Sequence, residues 1–110
     1  MIRQIKTVAG YDSLKQQQGV VVMHFGFDWN SFDRTMQRTL FELQPEFGET
    51  VSFGFVDVDN NATVELLKQI NLVNVPTLVY FFNGKQQAIE VGMKPMDEIR
   101  TKINMLLSIG

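Results

Sequence analysis

The sequence predicts an α/β domain in which helices cover both faces of a mixed five-stranded sheet. Two largely apolar segments, residues 20–25 and 77–82, are typical of strands that are buried on both faces. Segments with helical periodicity alternate with strand-like segments, and an Asn83-Gly84 pair separates the last two strands as in a β-hairpin. The predicted order is therefore strand, helix, strand, helix, strand, helix, strand, strand, helix.

The N-terminal half contains the first two strands and the first two helices. Residues 2–6 alternate apolar and polar side chains, which predicts a short edge strand. A brief polar helix is expected over residues 10–18, before the buried strand at residues 20–25. Residues 31–47 then carry an apolar stripe that predicts a long helix. This stripe consists of Phe32, Met36, Leu40, Leu43 and Phe47.

The C-terminal half begins with a strand over residues 51–58, which places Val51, Phe53 and Phe55 on one face. The polar segment 59–61 is expected to cap a helix over residues 62–69. The inner face of that helix is predicted to comprise Val64, Leu67 and Ile70.

The last elements are a hairpin and a closing helix. The buried strand at residues 77–82 is followed by an antiparallel partner at residues 86–91. A final helix is predicted over residues 95–107, with Pro95 in the first turn, where proline is tolerated. The side chains expected to face inward are Ile99, Ile103, Leu106 and Leu107.

Composition narrows the classes of function. The 110 residues, spanning 1–110, predict a single domain, and 45% apolar with 20% charged residues is ordinary for a folded protein. A formal net charge of −2 without a basic cluster argues against nucleic-acid and membrane partners. The N-terminus has no long apolar segment, so we expect a cytoplasmic protein without a signal peptide. The chain has no cysteine, which excludes disulfides and thiolate chemistry, and no cofactor or metal is expected.

Several short motifs occur in an order that resembles the thioredoxin family over essentially the whole chain. Each motif alone is not specific to a family, but their order and spacing together support the resemblance. The motifs are Phe25, Asp28-Trp29, Val56-Asp57-Val58-Asp59, Val75-Pro76-Thr77-Leu78, Phe81-Phe82-Asn83-Gly84 and Val91-Gly92. The resemblance implies a thioredoxin fold.

The chain departs from this family where the chemistry would be. The resemblance places the two redox cysteines at Asn30 and Asp33, the buried family aspartate at His24 and its lysine companion at Phe55. It therefore implies a redox-inactive member. The residue types alone suggest that Asn30 caps a helix and that Asp33 adds a carboxylate to its first turn.

The resemblance also implies a shallow groove that holds an extended peptide beside a cis Val75–Pro76 bond. Our main hypothesis is therefore a protein-binding module, adaptor or subunit whose partner is another protein or an extended peptide. Two alternatives stay open: Trp29 and Phe32 simply pack against the domain, or the contact surface lies elsewhere, as in a homo-oligomer formed through a sheet edge. The predicted groove residues are Trp29, Asn30, Ser31, Phe32, Asp33, Val75, Pro76 and Gly92.

The single histidine, His24, supports a different class of function. A non-thiol enzyme or ligand-binding protein would use His24, Ser31 or Asp33, but no carboxylate that would orient the imidazole is evident. Asp28 and Asp33 are not expected to converge on it as metal ligands. We expect a buried, hydrogen-bonded and neutral imidazole that packs against Phe55. Replacement by leucine should then be tolerated, provided that no polar partner is left unpaired.

Overall fold

The computed structural model of the protein describes residues 2–109 and has the predicted fold class. Within these residues it contains five strands and four α-helices. Their bounds are β1 Arg3–Ile5, α1 Val8–Lys15, β2 Val20–Gly26, α2 Ser31–Phe47, β3 Val51–Asp57, α3 Val64–Gln69, β4 Thr77–Phe82, β5 Lys85–Val91 and α4 Met96–Ile109. None of the helices in this part of the chain is long and apolar enough to cross a membrane.

The strands form one mixed sheet in the order β1-β3-β2-β4-β5. The central strand β2 pairs in parallel with β3 and antiparallel with β4, and β5 is antiparallel to β4, as predicted. The register pairs Gly26 with Asp57, so β2 and β3 end side by side. The loops that follow these two strands therefore meet at one edge of the sheet.

Alternation of side chains along β2 divides the core into two layers. Val20 and Val22 pack with the inner faces of α2 and α4, and His24 lies on this same face of the strand beside Phe55. The opposite layer, under α1 and α3, contains Val21, Met23 and Phe25.

Helices α1 and α3 each begin two residues away from the predicted position. Helix α1 starts at Val8 because the Thr7 hydroxyl accepts a hydrogen bond from the Gly10 N–H. Before α3, the Asn60 side chain caps a 3-10 turn at Asn61–Thr63, so the α-helix begins only at Val64.

The inner face of α3 was predicted incorrectly in part. Val64 is 48% exposed, whereas Leu66, which the prediction omitted, is fully buried. The preceding 3-10 turn has fewer residues per turn than an α-helix, so it shifts the phase of the inward-facing positions.

The apolar stripe of α2 is also shifted at its first position. Met36, Leu40 and Leu43 are buried as predicted, but Phe32 is 62% exposed and Asp33 is buried in its place. Asp33 lies three residues before Met36 and seven before Leu40, which is the helical spacing of one face.

Gly54 in the middle of β3 allows α1 to pack closely on the sheet. A Cβ atom at this position would lie 2.6 Å from Leu14 Cδ2 and 2.9 Å from Met23 Sδ. Both neighbours are fully buried, so they have little space into which they can move.

We expect Gly54→Ala to lower the free energy of unfolding by about 1–3 kcal/mol, because the added methyl group overpacks this contact. Urea denaturation followed by circular dichroism measures the effect. The control is Gln86→Ala on the exposed edge strand β5, whose free energy of unfolding should stay close to that of the wild type. Equal stability of Gly54→Ala and the control would show that the core accommodates a larger residue here.

Candidate functional site

Hydrogen bonds fix the turn between β2 and α2 at the end where the helix begins. The Asn30 side chain accepts hydrogen bonds from the N–H groups of Phe32 at 2.8 Å and Asp33 at 3.4 Å, which confirms Asn30 as the N-cap. A guanidinium N–H of Arg34 donates to the Trp29 carbonyl at 3.0 Å. This part of the turn is therefore held by the side chain of its last residue, Asn30, and by that of Arg34 in the following helix.

Two aromatic side chains project from this turn into solvent. Trp29 is 60% exposed and Phe32 is 62% exposed. One face of Trp29 stacks on Phe27 with ring centroids 4.8 Å apart, and its indole N–H donates to Asp59 Oδ2 at 2.9 Å. The Trp29 side chain is thus positioned by its neighbours while more than half of it stays accessible.

The other predicted groove residues lie around the start of β4, where Pro76 is buried and is therefore not an exposed groove residue as predicted. The Val75–Pro76 peptide bond is cis, and the Gly92 N–H donates to the Pro76 carbonyl at 2.7 Å. A Cβ atom at Gly92 would meet no atom within 4 Å, so the surface is open there. The Val75 N–H is bonded to the Asn74 side chain at 2.8 Å and is not free.

A pocket that sequence reasoning missed connects these two regions. We call it the Asp59 pocket; it has a volume of about 370 Å³. Its lining includes Phe27 and Asp59, which both contact Trp29, and also Val75. Its other lining residues include Leu67, Leu72 and Val73. Leu67, which was predicted on the inner face of α3, does pack against the core, but it is only half-buried and also lines this pocket.

Beneath the turn, His24 and Asp33 form a buried hydrogen-bonded pair. His24 Nε2 lies 2.8 Å from Asp33 Oδ1, and the two side chains are 0% and 1% exposed. The Nδ1 atom of His24 lies 2.6 Å from the Gln37 side-chain nitrogen. The prediction that Asp33 lies in the groove is therefore wrong, as is the prediction that it does not converge on His24. Both failed because Asp33 occupies the inner stripe of α2.

The position of Asp33 depends on Gly26. A Cβ atom at Gly26 would lie only 2.0 Å from Asp33 Oδ1, so the carboxylate occupies the space that a side chain there would need. The second oxygen, Oδ2, accepts a hydrogen bond from the Phe27 N–H at 3.0 Å. The first turn of α2 is also where the helix dipole favours a negative charge.

The environment of His24 favours the neutral imidazole. Burial lowers the pKa of His24 below its ordinary value, although the hydrogen bond to Asp33 and the charge of Asp33 act in the opposite direction. A neutral ring that donates from Nε2 to the carboxylate and accepts at Nδ1 from the Gln37 amide satisfies every partner. The predicted contact with Phe55 is confirmed, with ring centroids 5.0 Å apart.

This arrangement does not form a nucleophile–base pair. Both ring nitrogens of His24 are occupied by hydrogen bonds, and the ring is buried behind Asp33. Ser31, the hydroxyl considered as its partner, is exposed in the first turn of α2. Among residues 2–109, no group of three or more histidines and carboxylates is placed to hold a metal ion.

The condition for a tolerated His24→Leu substitution is not met, because Asp33 and Gln37 would each lose a buried partner. We expect this substitution to lower the free energy of unfolding by about 2–4 kcal/mol. The double variant with Asp33→Ala should be destabilised by about 1–2 kcal/mol less than the sum of the two single variants. Denaturation of the two single variants and the double variant measures this coupling. Additive costs would mean that the two side chains do not interact.

The pH dependence of stability provides a separate test of the buried histidine. The folded-state pKa of His24 is lowered, so the unfolded chain binds a proton more readily as the pH falls. Stability of the wild type relative to His24→Gln should therefore decrease between about pH 7 and pH 5. Thermal unfolding of both proteins across this range measures the difference. A relative stability that rises on acidification would mean that the folded state favours the imidazolium.

Comparison with known proteins extends the structural description. The family model described as Thioredoxin matches residues 4–105. Thioredoxin from Bacillus subtilis strain 168 is 27% identical over 92 residues, which cover 84% of this chain and 86% of the relative. Thioredoxin from Listeria monocytogenes is 29% identical over 87 residues, which cover 79% of this chain and 82% of the relative.

Solved structures show the same fold. A thioredoxin from Trypanosoma brucei brucei superposes with a TM-score of 0.86 at 22% identity, covering 98% of this chain and 92% of that chain. Mitochondrial thioredoxin 3 from Saccharomyces cerevisiae, in its oxidised form, gives a TM-score of 0.83 at 22% identity, with coverage of 96% and 95%. Since the family model spans residues 4–105 of the 110, the chain belongs to the thioredoxin family, in which it is a member without cysteine.

Proposed function

We propose that this protein is a redox-inactive, cytoplasmic protein-binding module that acts as an adaptor or subunit. Its partner is another protein or an extended peptide, which it contacts through the surface formed by Trp29, Asn30, Ser31 and Phe32 together with residues 75 and 92. Asp33 and Pro76 are not part of this surface, because both are buried. The chain has no thiol that could form the mixed-disulfide intermediate of disulfide exchange.

The observation that carries the proposal is the exposure of two large aromatic side chains on one fixed turn. Trp29 and Phe32 each expose about three fifths of their surface, although burial is the favourable state for rings of this size. The stacking on Phe27 and the bond to Asp59 hold Trp29 in one orientation before any partner arrives. Such pre-organisation reduces the entropy lost on binding.

The alternative of a non-thiol enzyme has less support from the geometry. His24 has no free ring nitrogen, Asp33 accepts hydrogen bonds at both oxygens, and Ser31 faces solvent away from them. General base catalysis needs a group that is within reach of a substrate proton. The buried pair serves instead to hold the turn that carries the aromatic side chains.

A double variant tests the proposal. We expect Trp29→Ala/Phe32→Ala to fold normally and to bind the partner at least about tenfold more weakly, because exposed aromatic anchors dominate interface energies. The partner is first identified by affinity capture from the lysate of the source cells, and its affinity is then measured by calorimetry with both purified proteins.

The matched control is Phe41→Ala/Met105→Ala. These side chains are 66% and 58% exposed, and they lie on α2 and α4 outside the proposed surface. The control should bind as the wild type does. If the aromatic double variant also binds as the wild type does, the surface is the wrong one. Loss of binding only in variants of the sheet edges would instead place the contact surface at an edge strand.

A further inference from the structure

The Asp59 pocket has a chemistry that points to one kind of partner side chain. We infer that it binds an arginine of the extended segment that contacts Trp29 and Phe32. This inference rests on the proposed function and specifies what that partner must carry. The pocket opens beside Trp29, since Phe27 and Asp59 each contact the indole and also line the pocket.

The walls of the pocket suit the aliphatic part of a long side chain. Leu67, Leu72, Val73 and Val75 supply apolar surface, and Val73 is 78% exposed in the free protein. A volume of about 370 Å³ exceeds what a single small side chain would fill. Arginine and lysine bury their methylene groups against such surfaces and keep the charged end towards water.

The charge at the pocket is negative. Among the described residues that line it, Asp59 is the one charged side chain. Its Oδ2 accepts the Trp29 indole N–H, and no hydrogen bond within residues 2–109 uses its Oδ1. Asp57 is the last residue of β3, and Asp28 lies two residues after the adjacent end of β2, so two further carboxylates lie on the same edge of the sheet. A cation is therefore attracted here, and a carboxylate is repelled.

The aromatic side of the pocket favours arginine over lysine. Phe27 lines the pocket and is stacked on Trp29 in a nearly parallel arrangement, with 19° between the ring planes. A planar guanidinium packs on an aromatic face and can still donate hydrogen bonds in its own plane to a carboxylate. An ammonium group is more strongly hydrated and lacks this planar contact. A leucine would fill the apolar part but would cover Asp59 without giving it a partner.

Peptide titration tests the inference directly. The probes are terminally blocked peptides of the sequence Gly-Ser-Val-Xaa-Val-Ser-Gly, with arginine, lysine, leucine or glutamate at Xaa. Each is titrated into the isotope-labelled full chain at low salt and followed by two-dimensional NMR. We expect the arginine peptide to bind about fivefold more tightly than the leucine peptide and to shift the signals of residues 58, 59, 67 and 72–75. The glutamate peptide should bind most weakly.

A charge variant with a matched control isolates the carboxylate. Asp59→Asn keeps an oxygen that accepts the Trp29 N–H but removes the charge. In this variant the affinity of the arginine peptide should therefore differ from that of the leucine peptide by no more than about twofold. The control, Glu49→Gln, makes the same change of charge. Glu49 precedes the start of β3, whereas Asp59 follows the end of that strand. The control variant should therefore still bind the arginine peptide more tightly than the leucine peptide. High salt should reduce the preference in the wild type.

The outcomes separate this inference from the function on which it rests. Equal binding of the arginine and leucine peptides, or an arginine preference that survives in Asp59→Asn, overturns the inference. Signal shifts at Trp29 and Phe32 without shifts around the Asp59 pocket also overturn it but leave the proposed function standing. If no peptide shifts either set of signals, the inference fails, and the identified partner must then be tested for contact with Trp29 and Phe32.

Discussion

The hydrogen bond between Asp33 and His24 is the contact on which the candidate site depends. It joins the first turn of α2 to the central strand of the sheet, and the exposed turn spans the short distance between these anchors. The pair is stable in the interior because each polar atom has a partner: Phe27 N–H and Gln37 complete the network. Within residues 2–109, no buried side-chain nitrogen or oxygen lacks a hydrogen bond. A buried polar network that is fully satisfied fixes one geometry, whereas a partly satisfied one destabilises the fold.

The network also explains how this member of the thioredoxin family can keep the turn without its cysteines. The resemblance places the second cysteine at Asp33 and the buried family aspartate at His24, so the two substituted positions contact each other. Gly26 makes the contact possible, since any side chain there would occupy the space of the Asp33 carboxylate. The three residues therefore act as one structural unit. Their role is to hold the turn, whose outer side carries the exposed side chains of Trp29 and Phe32.

Much of the fold follows from patterns that are local in the sequence. The buried strands, the Asn83-Gly84 turn and the bounds of α2 depend on periodicity and turn chemistry, and the structure confirms them. The His24–Asp33 contact had only a partial signal, because helical spacing places both Phe32 and Asp33 at the margins of the stripe that contains Met36 and Leu40. The preference for apolar residues in a core concealed it. The Asp59 pocket had no such signal, since its walls come from four separate segments that only the folded chain brings together.

Asp59 connects the aromatic surface to the pocket because its two carboxylate oxygens serve different purposes. Oδ2 accepts the Trp29 N–H and sets the orientation of the indole, so it contributes to the shape of the proposed binding surface. Oδ1 accepts no hydrogen bond within residues 2–109, so it keeps the capacity to bond to the proposed arginine. Burial of aromatic surface supplies most of the affinity at an interface, whereas charge complementarity supplies selectivity and speeds association. A partner with only apolar groups would gain affinity from burial of the aromatic surface alone. A partner that also carries a correctly spaced arginine would gain selectivity from the charge of Asp59 as well.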